Sequence, residues 1–225
     1  MMTNKIALDF VIFDMIGTTV QDAKTGESVI LESFKNAFNR HEIDVSYDEI
    51  NRQRGKSKQI AIETIVKEMN LESKVQDFIY HDFMNELQSR IIYFEEMLHA
   101  TTVFQKLKTK EIKIGIGSGL PLHFMMQLME HLSWNPDDFS YINSSDELPA
   151  GRPDPVMIFD AMDKLNYNDK NRILKIGDTV VDVLEGKNAE VLTAMVLSGT
   201  QKKENLSDMK PDFIWDSMKD LLNFI

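Results

Sequence analysis

Five short apolar runs, each closed by turn residues, punctuate the chain: Ala7–Phe13, Ile112–Gly117, Phe139–Asn143, Ile173–Gly177 and Leu192–Leu197. Unbroken apolar character over so few residues suits strands covered on both faces, where alternation with polar residues is not required. Segments with helical spacing separate most of them: Leu120–Leu132, Pro155–Leu165 with its proline in the first turn, and Val181–Asn188, while Met218–Phe224 closes the series. Strands that alternate with helices predict a doubly wound, parallel, Rossmann-like α/β sheet with helices on both faces.

One stretch breaks the alternation. Between the first strand and Ile112 lie roughly ninety residues that read almost wholly as helix. Glu27–Asn39 aligns Ile30, Leu31, Phe34 and Phe38. Gln59–Met69 forms a second helix, and Val75–Phe94 aligns Val75, Phe78, Ile79, Phe83, Leu87, Ile91 and Phe94. The spacing predicts an inserted helical cap domain over residues 21–97, carried by a core of residues 1–20 and 98–225. No proline- or glycine-rich linker marks its borders.

Composition narrows the classes of function. A chain of 225 residues, 43% of them hydrophobic, can bury one sizeable core. It contains no cysteine, which excludes disulfides, thiolate nucleophiles and Cys-based zinc sites. A formal net charge of −11 repels nucleic acid and anionic lipid. No apolar run reaches membrane-spanning length, and Ile6–Phe13 is too short for a secretory signal. The expectation is a cytoplasmic protein acting on a small molecule, with neither nucleic acid nor membrane as partner. The five histidines show no metal-ligand spacing, and the 14 methionines read as adaptable core filler.

The candidate chemistry gathers at four strand ends, the edge of a parallel sheet where ligands bind. Phe13-Asp14-Met15-Ile16-Gly17-Thr18-Thr19-Val20 follows the first strand, and Asp14 there could be a turn former as readily as a nucleophile. Gly117-Ser118-Gly119 offers a hydroxyl and amides to an anion, or an ordinary helix cap. Gly151-Arg152-Pro153-Asp154-Pro155 brings a guanidinium. Gly177-Asp178-Thr179-Val180-Val181-Asp182 brings two acids that can face one cation or cap a helix.

In this order the four segments resemble the motifs of the haloacid dehalogenase superfamily, and the long helical gap falls where that superfamily carries its cap. The resemblance implies a magnesium-dependent hydrolase with an aspartyl-phosphate intermediate. Asp14 would be the nucleophile. Asp14, Asp178 and the Ile16 carbonyl would hold Mg2+, and Asp182 would orient groups behind them. Ser118, Gly119, Thr18 and Arg152 would take the phosphoryl oxygens, since a carboxylate attacking an anionic phosphorus centre needs its charge offset.

Position 16 departs from the usual pattern. Most phosphatases of the superfamily place there a second aspartate that protonates the leaving alcohol; isoleucine cannot. The sequence Asp-x-apolar-Gly-Thr-Thr is similar to that of the phosphonatases, which cleave a C–P bond after a cap lysine forms a Schiff base with an aldehyde. Here Arg54-Gly55-Lys56-Ser57-Lys58 precedes a helix, and Lys58 takes that lysine's place by its spacing from Gly55. The helix dipole and neighbouring cations favour its neutral, nucleophilic amine. Lys56 is a further anion-binding candidate. Arg54 and Ala61 stand where that family has methionine and histidine. Gly55-Lys56-Ser57 does not complete a nucleotide-binding loop, because Ile50 stands where its first glycine belongs.

The implied substrate is a small organophosphorus compound, cleaved at C–P or P–O. The alternatives are a phosphate-ester phosphatase of the same superfamily and a binding or regulatory protein on a disabled scaffold. The resemblance also allows a homodimer formed through the cap.

Overall fold

The computed structural model describes residues 5–22, 28–199 and 209–225. Its main sheet has six parallel strands in the order β5-β4-β1-β6-β7-β8. These are β1 Phe10–Phe13, β4 Lys113–Ser118, β5 Tyr141–Ser144, β6 Ile173–Gly177, β7 Leu192–Val196 and β8 Phe213–Trp215. A second, two-stranded antiparallel ribbon pairs β2 (Val20–Gln21) with β3 (Glu95–Glu96). The Rossmann-like α/β architecture read from the sequence is therefore the observed one.

All four residues of β1 are buried, as its unbroken apolar run requires for a strand flanked by β4 and β6. Its two neighbours place the strand order's reversal at β1, so the crevice beyond its C-terminal end is the natural ligand position. Helices α5 (Ala100–Thr109), α6 (Leu122–His131), α7 (Val156–Leu165) and α8 (Val180–Ala189) join the later strands.

Between the ribbon strands stand α1 (Val29–Asn39), α2 (Tyr47–Asn51), α3 (Lys58–Glu68) and α4 (Val75–Ser89). Phe34 of α1 meets Phe83 of α4 with ring centroids 4.4 Å apart, and Ala37, Phe38, Ile79 and Leu87 are wholly buried. The apolar stripes of the sequence thus pack the two helices on each other. The predicted start of the first helix at Glu27 lies outside the described residues.

Three sequence expectations are corrected. The stripe Val75–Phe94 is not one helix: α4 ends at Ser89, Ile91–Tyr93 forms a 3-10 turn, and the chain is extended by Phe94. Phe94, extended beyond the turn, is still buried in the core and packs edge-on against Phe124. Phe78, placed on the buried stripe, is 62% exposed. Met218–Phe224 is a 3-10 segment over Met218–Asn223, not an α-helix. The short strand β8 was not anticipated; three residues following the Lys210-Pro211-Asp212 turn give too little pattern to read.

Candidate active site

Asp14 leaves β1 and enters a turn that the sequence makes obligatory. Gly17 has φ +87°, and a Cβ there would overlap the carboxylate of Asp178. Glycine therefore serves both the backbone angle and the close approach of the two strand ends. The Thr19 hydroxyl donates to the carbonyls of Asp14 and Met15, each at 3.2 Å, which fixes the turn from inside.

Three strand ends and the loop beyond β5 converge here. Asp14 is 4% exposed, Ser118 2%, Arg152 5% and Asp178 0%. Arg152 Nη1 donates to Asp14 Oδ1 at 2.6 Å and to Asp182 Oδ1 at 2.5 Å, so one guanidinium bridges two elements of the sheet edge. The other oxygen of Asp182 accepts from the amide and hydroxyl of Thr179, closing a capping box at the start of α8. The helix-cap reading of Asp182 holds, and the same carboxylate also bonds Arg152.

Behind Asp182 lies a group that sequence reasoning missed. Lys175, in the middle of β6 and 1% exposed, stands 2.9 Å from Glu185 and 3.3 Å from Asp182. A charged residue inside an otherwise apolar buried strand demands a partner, and that was the available signal.

The electrostatics of the cluster are unbalanced. Asp14, Asp178, Asp182 and Glu185 are four buried carboxyls, against the buried cations Arg152 and Lys175 and, from the helical block, Lys58. Burial raises the pKa of Asp14 and outweighs the opposing pull of Arg152. Burial raises Glu185 likewise, despite Lys175. Asp182 falls below the usual range, because Arg152, Lys175 and the Thr179 hydrogen bond together exceed the cost of its burial. Carboxylate oxygens of Asp14, Asp178 and Asp182 lie within 4.8 Å of one another. A buried, all-oxygen, carboxylate-rich set short of positive charge fits a hard divalent cation. The sequence reading placed Asp182 behind the metal; the geometry groups it with the other two acids.

Lys58 reaches the same cleft from the helical block. The loop Arg54–Ser57 lies against the core through two glycines. A Cβ on Gly55 would come 2.8 Å from Val181 Cβ and 3.0 Å from Thr179 Oγ1, and one on Gly119 would collide with the Lys56 carbonyl. The Lys58 amide donates to the Gly119 carbonyl at 3.1 Å. Ser57 then caps α3, and Lys58 is its first residue, 9% exposed, with Nζ 3.4 Å from the Lys56 carbonyl. Burial, aided by the charges of Arg152 and Arg54, pushes the Lys58 amine down to about 8.

The cleft is lined by Asp14, Ile16, Ser118, Arg152 and Lys58, with Ile30, Leu31, Phe34 and Ile50 as an apolar wall. Its enclosed volume is about 50 Å³, and the rest of the cleft is open to solvent. Not every expected residue lines it. Thr18 is wholly buried, Lys56 turns to Gln53 Oε1 at 2.9 Å, and Gly119 serves as the seat for the loop. Asp22, Gln53 and Arg54 line the cleft without having been singled out for it. No helix among the described residues is long and apolar enough to cross a membrane.

Two measurements follow from this geometry. In competitive acetylation with acetic anhydride, Lys58 should show half-maximal reactivity near pH 8, well below the ordinary lysine value of 10.5. A reactivity curve centred near the ordinary value would contradict its burial. Lys175→Met should cost about 3–5 kcal/mol in urea unfolding at neutral pH, as expected when one partner of a buried ion pair is removed. Adding Glu185→Leu should recover part of that loss.

Comparison with known proteins agrees with this arrangement. Residues 11–196 match the haloacid dehalogenase-like hydrolase family. The chain is 32% identical over 217 residues to a phosphonoacetaldehyde hydrolase of Vibrio vulnificus (strain YJ016), covering 88% of this chain and 78% of the relative. It is 28% identical over 222 residues to a phosphonoacetaldehyde hydrolase of Bacillus thuringiensis subsp. konkukian (strain 97-27), covering 91% and 83%. The fold superimposes on a phosphonoacetaldehyde hydrolase-like protein from Oleispira antarctica with a TM-score of 0.82 at 18% identity, over 97% of this chain and 92% of that one. With the sheet, the four strand-end segments and this match in agreement, the chain belongs to the haloacid dehalogenase-like hydrolases.

Proposed function

We propose that this hydrolase cleaves the C–P bond of a small phosphonate bearing an aldehyde, in the manner of a phosphonatase. The carrying observation is the pairing of Lys58 with Ile16. A buried amine with its pKa near 8 shares one cleft with Asp14, while the position two residues beyond Asp14 holds a side chain that cannot move a proton. Cleavage of a phosphate ester would leave an alkoxide in need of that proton. A carbon leaving group needs an electron sink instead, and a lysine imine supplies one.

The steps then balance. The neutral Lys58 amine condenses with the aldehyde and releases water. Asp14 attacks phosphorus; the C–P electron pair flows into the iminium, giving an enamine on Lys58 and a phosphoryl group on Asp14. The enamine is protonated at carbon and hydrolysed to the product aldehyde. Water cleaves the aspartyl-phosphate and regenerates both side chains. Arg152 and Ser118 bind the phosphonate oxygens, and Asp182 holds Arg152 in place. Asp14, Asp178 and the Ile16 carbonyl would hold magnesium, whose charge offsets the repulsion between carboxylate and phosphonate.

The helical block over residues 21–97 acts in this reading as a cap. It carries Lys58 to the core and excludes water from the imine.

Phosphonoacetaldehyde with magnesium should yield inorganic phosphate and acetaldehyde in equal amounts. Asp14→Asn should lower turnover by more than ~10³-fold, on the scale of losing a catalytic nucleophile. Lys58→Arg should abolish C–P cleavage while the protein still binds the phosphonate anion. Release of phosphate from phosphate esters alone would move the chain to the ester phosphatases. Binding without turnover of any substrate would place it among the binding proteins.

Calorimetry checks the metal independently of activity. Magnesium should bind the wild type, and Asp178→Asn should weaken that binding by at least ~10-fold, as loss of a carboxylate from an oxygen-ligand site does. Unchanged affinity would remove Asp178 from the site.

A further inference from the structure

A reaction that passes through an imine at Lys58 needs a proton donor for the carbinolamine oxygen, and the residues assigned so far offer none. Ile16 is inert, Arg152 is committed to Asp14 and Asp182, and Asp14 attacks phosphorus. Ala61, one turn along α3 from Lys58, has no titratable group. The charges of two carboxyls act on Lys58: Asp14 and Asp146.

Asp146 occupies a distinctive position. It sits in the 3-10 turn Ser145–Glu147 just beyond β5, held by its own amide, which donates to Ser144 Oγ at 3.1 Å. That hydroxyl in turn donates to the Leu120 carbonyl at 2.6 Å, tying the turn to the loop after Ser118. The turn lies under the start of α3: a Cβ on Gly151 would be 3.4 Å from Ile60, 3.8 Å from Ser145 and 4.0 Å from Ser57. The Oδ2 atom of Asp146 is buried, with no hydrogen-bond partner among the described residues. A buried carboxyl oxygen left without a partner calls for an explanation, and a proton-transfer role is one.

The groups around it come from four places: Lys58 and Ser57 at the start of α3, His123 on α6, Tyr80 on α4 and Glu147 beside it in the turn. Burial raises the Asp146 pKa, against a hydrogen bond from Ser57 and the charges of Lys58 and His123. The charge of Asp146 adds to burial in pushing the Tyr80 phenol up to about 12, so that phenol stays protonated and does not compete as a base.

We propose that Asp146 is the proton relay of Lys58, supplying from the β5 loop the acid–base function that position 16 lacks. Lys58 attacks the carbonyl carbon as a neutral amine. One proton of the attacking nitrogen passes to the resulting oxygen and Asp146 supplies the second, so that it leaves as water; the products are the iminium on Lys58 and the Asp146 carboxylate. The same carboxylate takes a proton from the water that later hydrolyses the imine. The inference rests on the imine reading above.

The test separates imine formation from C–P cleavage. The whole protein is treated with acetaldehyde and excess cyanoborohydride, and alkylation of the Lys58 peptide is followed by mass spectrometry across roughly pH 6–9, the range that brackets an amine titrating near 8. Asp146→Asn removes a negative charge beside Lys58, lowers the amine pKa further and raises the neutral fraction at pH 7. A purely electrostatic neighbour therefore predicts faster trapping in Asp146→Asn. A relay predicts the opposite sign: trapping slower by ~10²-fold, the usual scale of lost general acid catalysis, with the loss at every pH.

Asp146→Glu keeps the charge but moves the carboxyl. It should leave the Lys58 titration near 8 and trap at a rate between those of wild type and Asp146→Asn. It also decides the matter if Asp146→Asn fails to fold, since trapping at the wild-type rate in Asp146→Glu overturns the relay. Phosphate release from phosphonoacetaldehyde is measured in parallel. No phosphate release alongside Asp146-dependent trapping would defeat the C–P reading and leave the relay standing. Wild-type trapping and phosphate release in Asp146→Asn would do the reverse.

Discussion

A guanidinium withdrawn from water must be met by carboxylates, and Arg152 is met by two that arrive from different strands. Asp14 comes from the end of β1 and Asp182 from the first turn of α8, and both bond the same Nη1. The site's other parts hang on that bridge. It fixes the side-chain direction of Asp14, shares Asp182 with the α8 capping box, and through Asp182 links to Lys175 and Glu185 beneath the sheet edge. An isolated buried charge would cost several kcal/mol, so none of these groups can move alone. The rigidity is electrostatic in origin, and it sits at the strand-order reversal where the topology already opens a crevice.

The helical block is seated by a different constraint, the close approach of backbones. Gly119 admits the Lys56 carbonyl, and Gly55 admits the side chains of Val181 and Thr179. The Lys58 amide bond to Gly119 then fixes where α3 begins. Because Lys58 is the first helical residue, its amine is buried at the positive end of the helix, close to Arg54 and Arg152. Local sequence, docking and basicity are thus coupled: a side chain larger than hydrogen at either glycine would disturb the depressed pKa of the amine as well as the contact.

Much of this was legible because strand ends announce themselves. The runs closed by Asp14, Ser118 and Asp178 are apolar, short and followed by glycine or polar turns, so both the sheet and its ligand edge could be read from pattern alone. Stripe reading worked where packing obeyed one helix axis, as for Phe34 and Phe38. It failed where the chain bent: the 3-10 turn at Ile91–Tyr93 ended the stripe of α4, and Phe78 fell outside the α1–α4 interface. Lys175 was readable in principle as a charge in a buried strand. Asp146 was not, because nothing in Ser-Ser-Asp-Glu-Leu distinguishes a surface turn from one folded beneath another helix. Glycine reading also missed a cause: Gly119 admits the close approach of the Lys56 backbone carbonyl.

The loss of an acid at position 16 has a physical logic within this arrangement. A carboxyl two residues beyond Asp14 would add a further buried acid to a cluster in which four already outnumber Arg152, Lys175 and Lys58, and in which burial raises the pKa of Asp14 and Glu185. Isoleucine avoids that burden and continues the apolar wall formed by Ile30, Leu31, Phe34 and Ile50. In the proposed reaction the proton chemistry moves to Lys58 and its neighbourhood, where burial lowers the amine and raises the carboxyl of Asp146. Burial works against charge on both, disfavouring the ammonium and the carboxylate alike, and carbonyl condensation draws on an amine and an acid. In the same proposed reaction, phosphorus chemistry stays with the charged cluster at the sheet edge and carbonyl chemistry with the pair under α3, and Arg152, whose charge acts on Asp14 and Lys58, links the two.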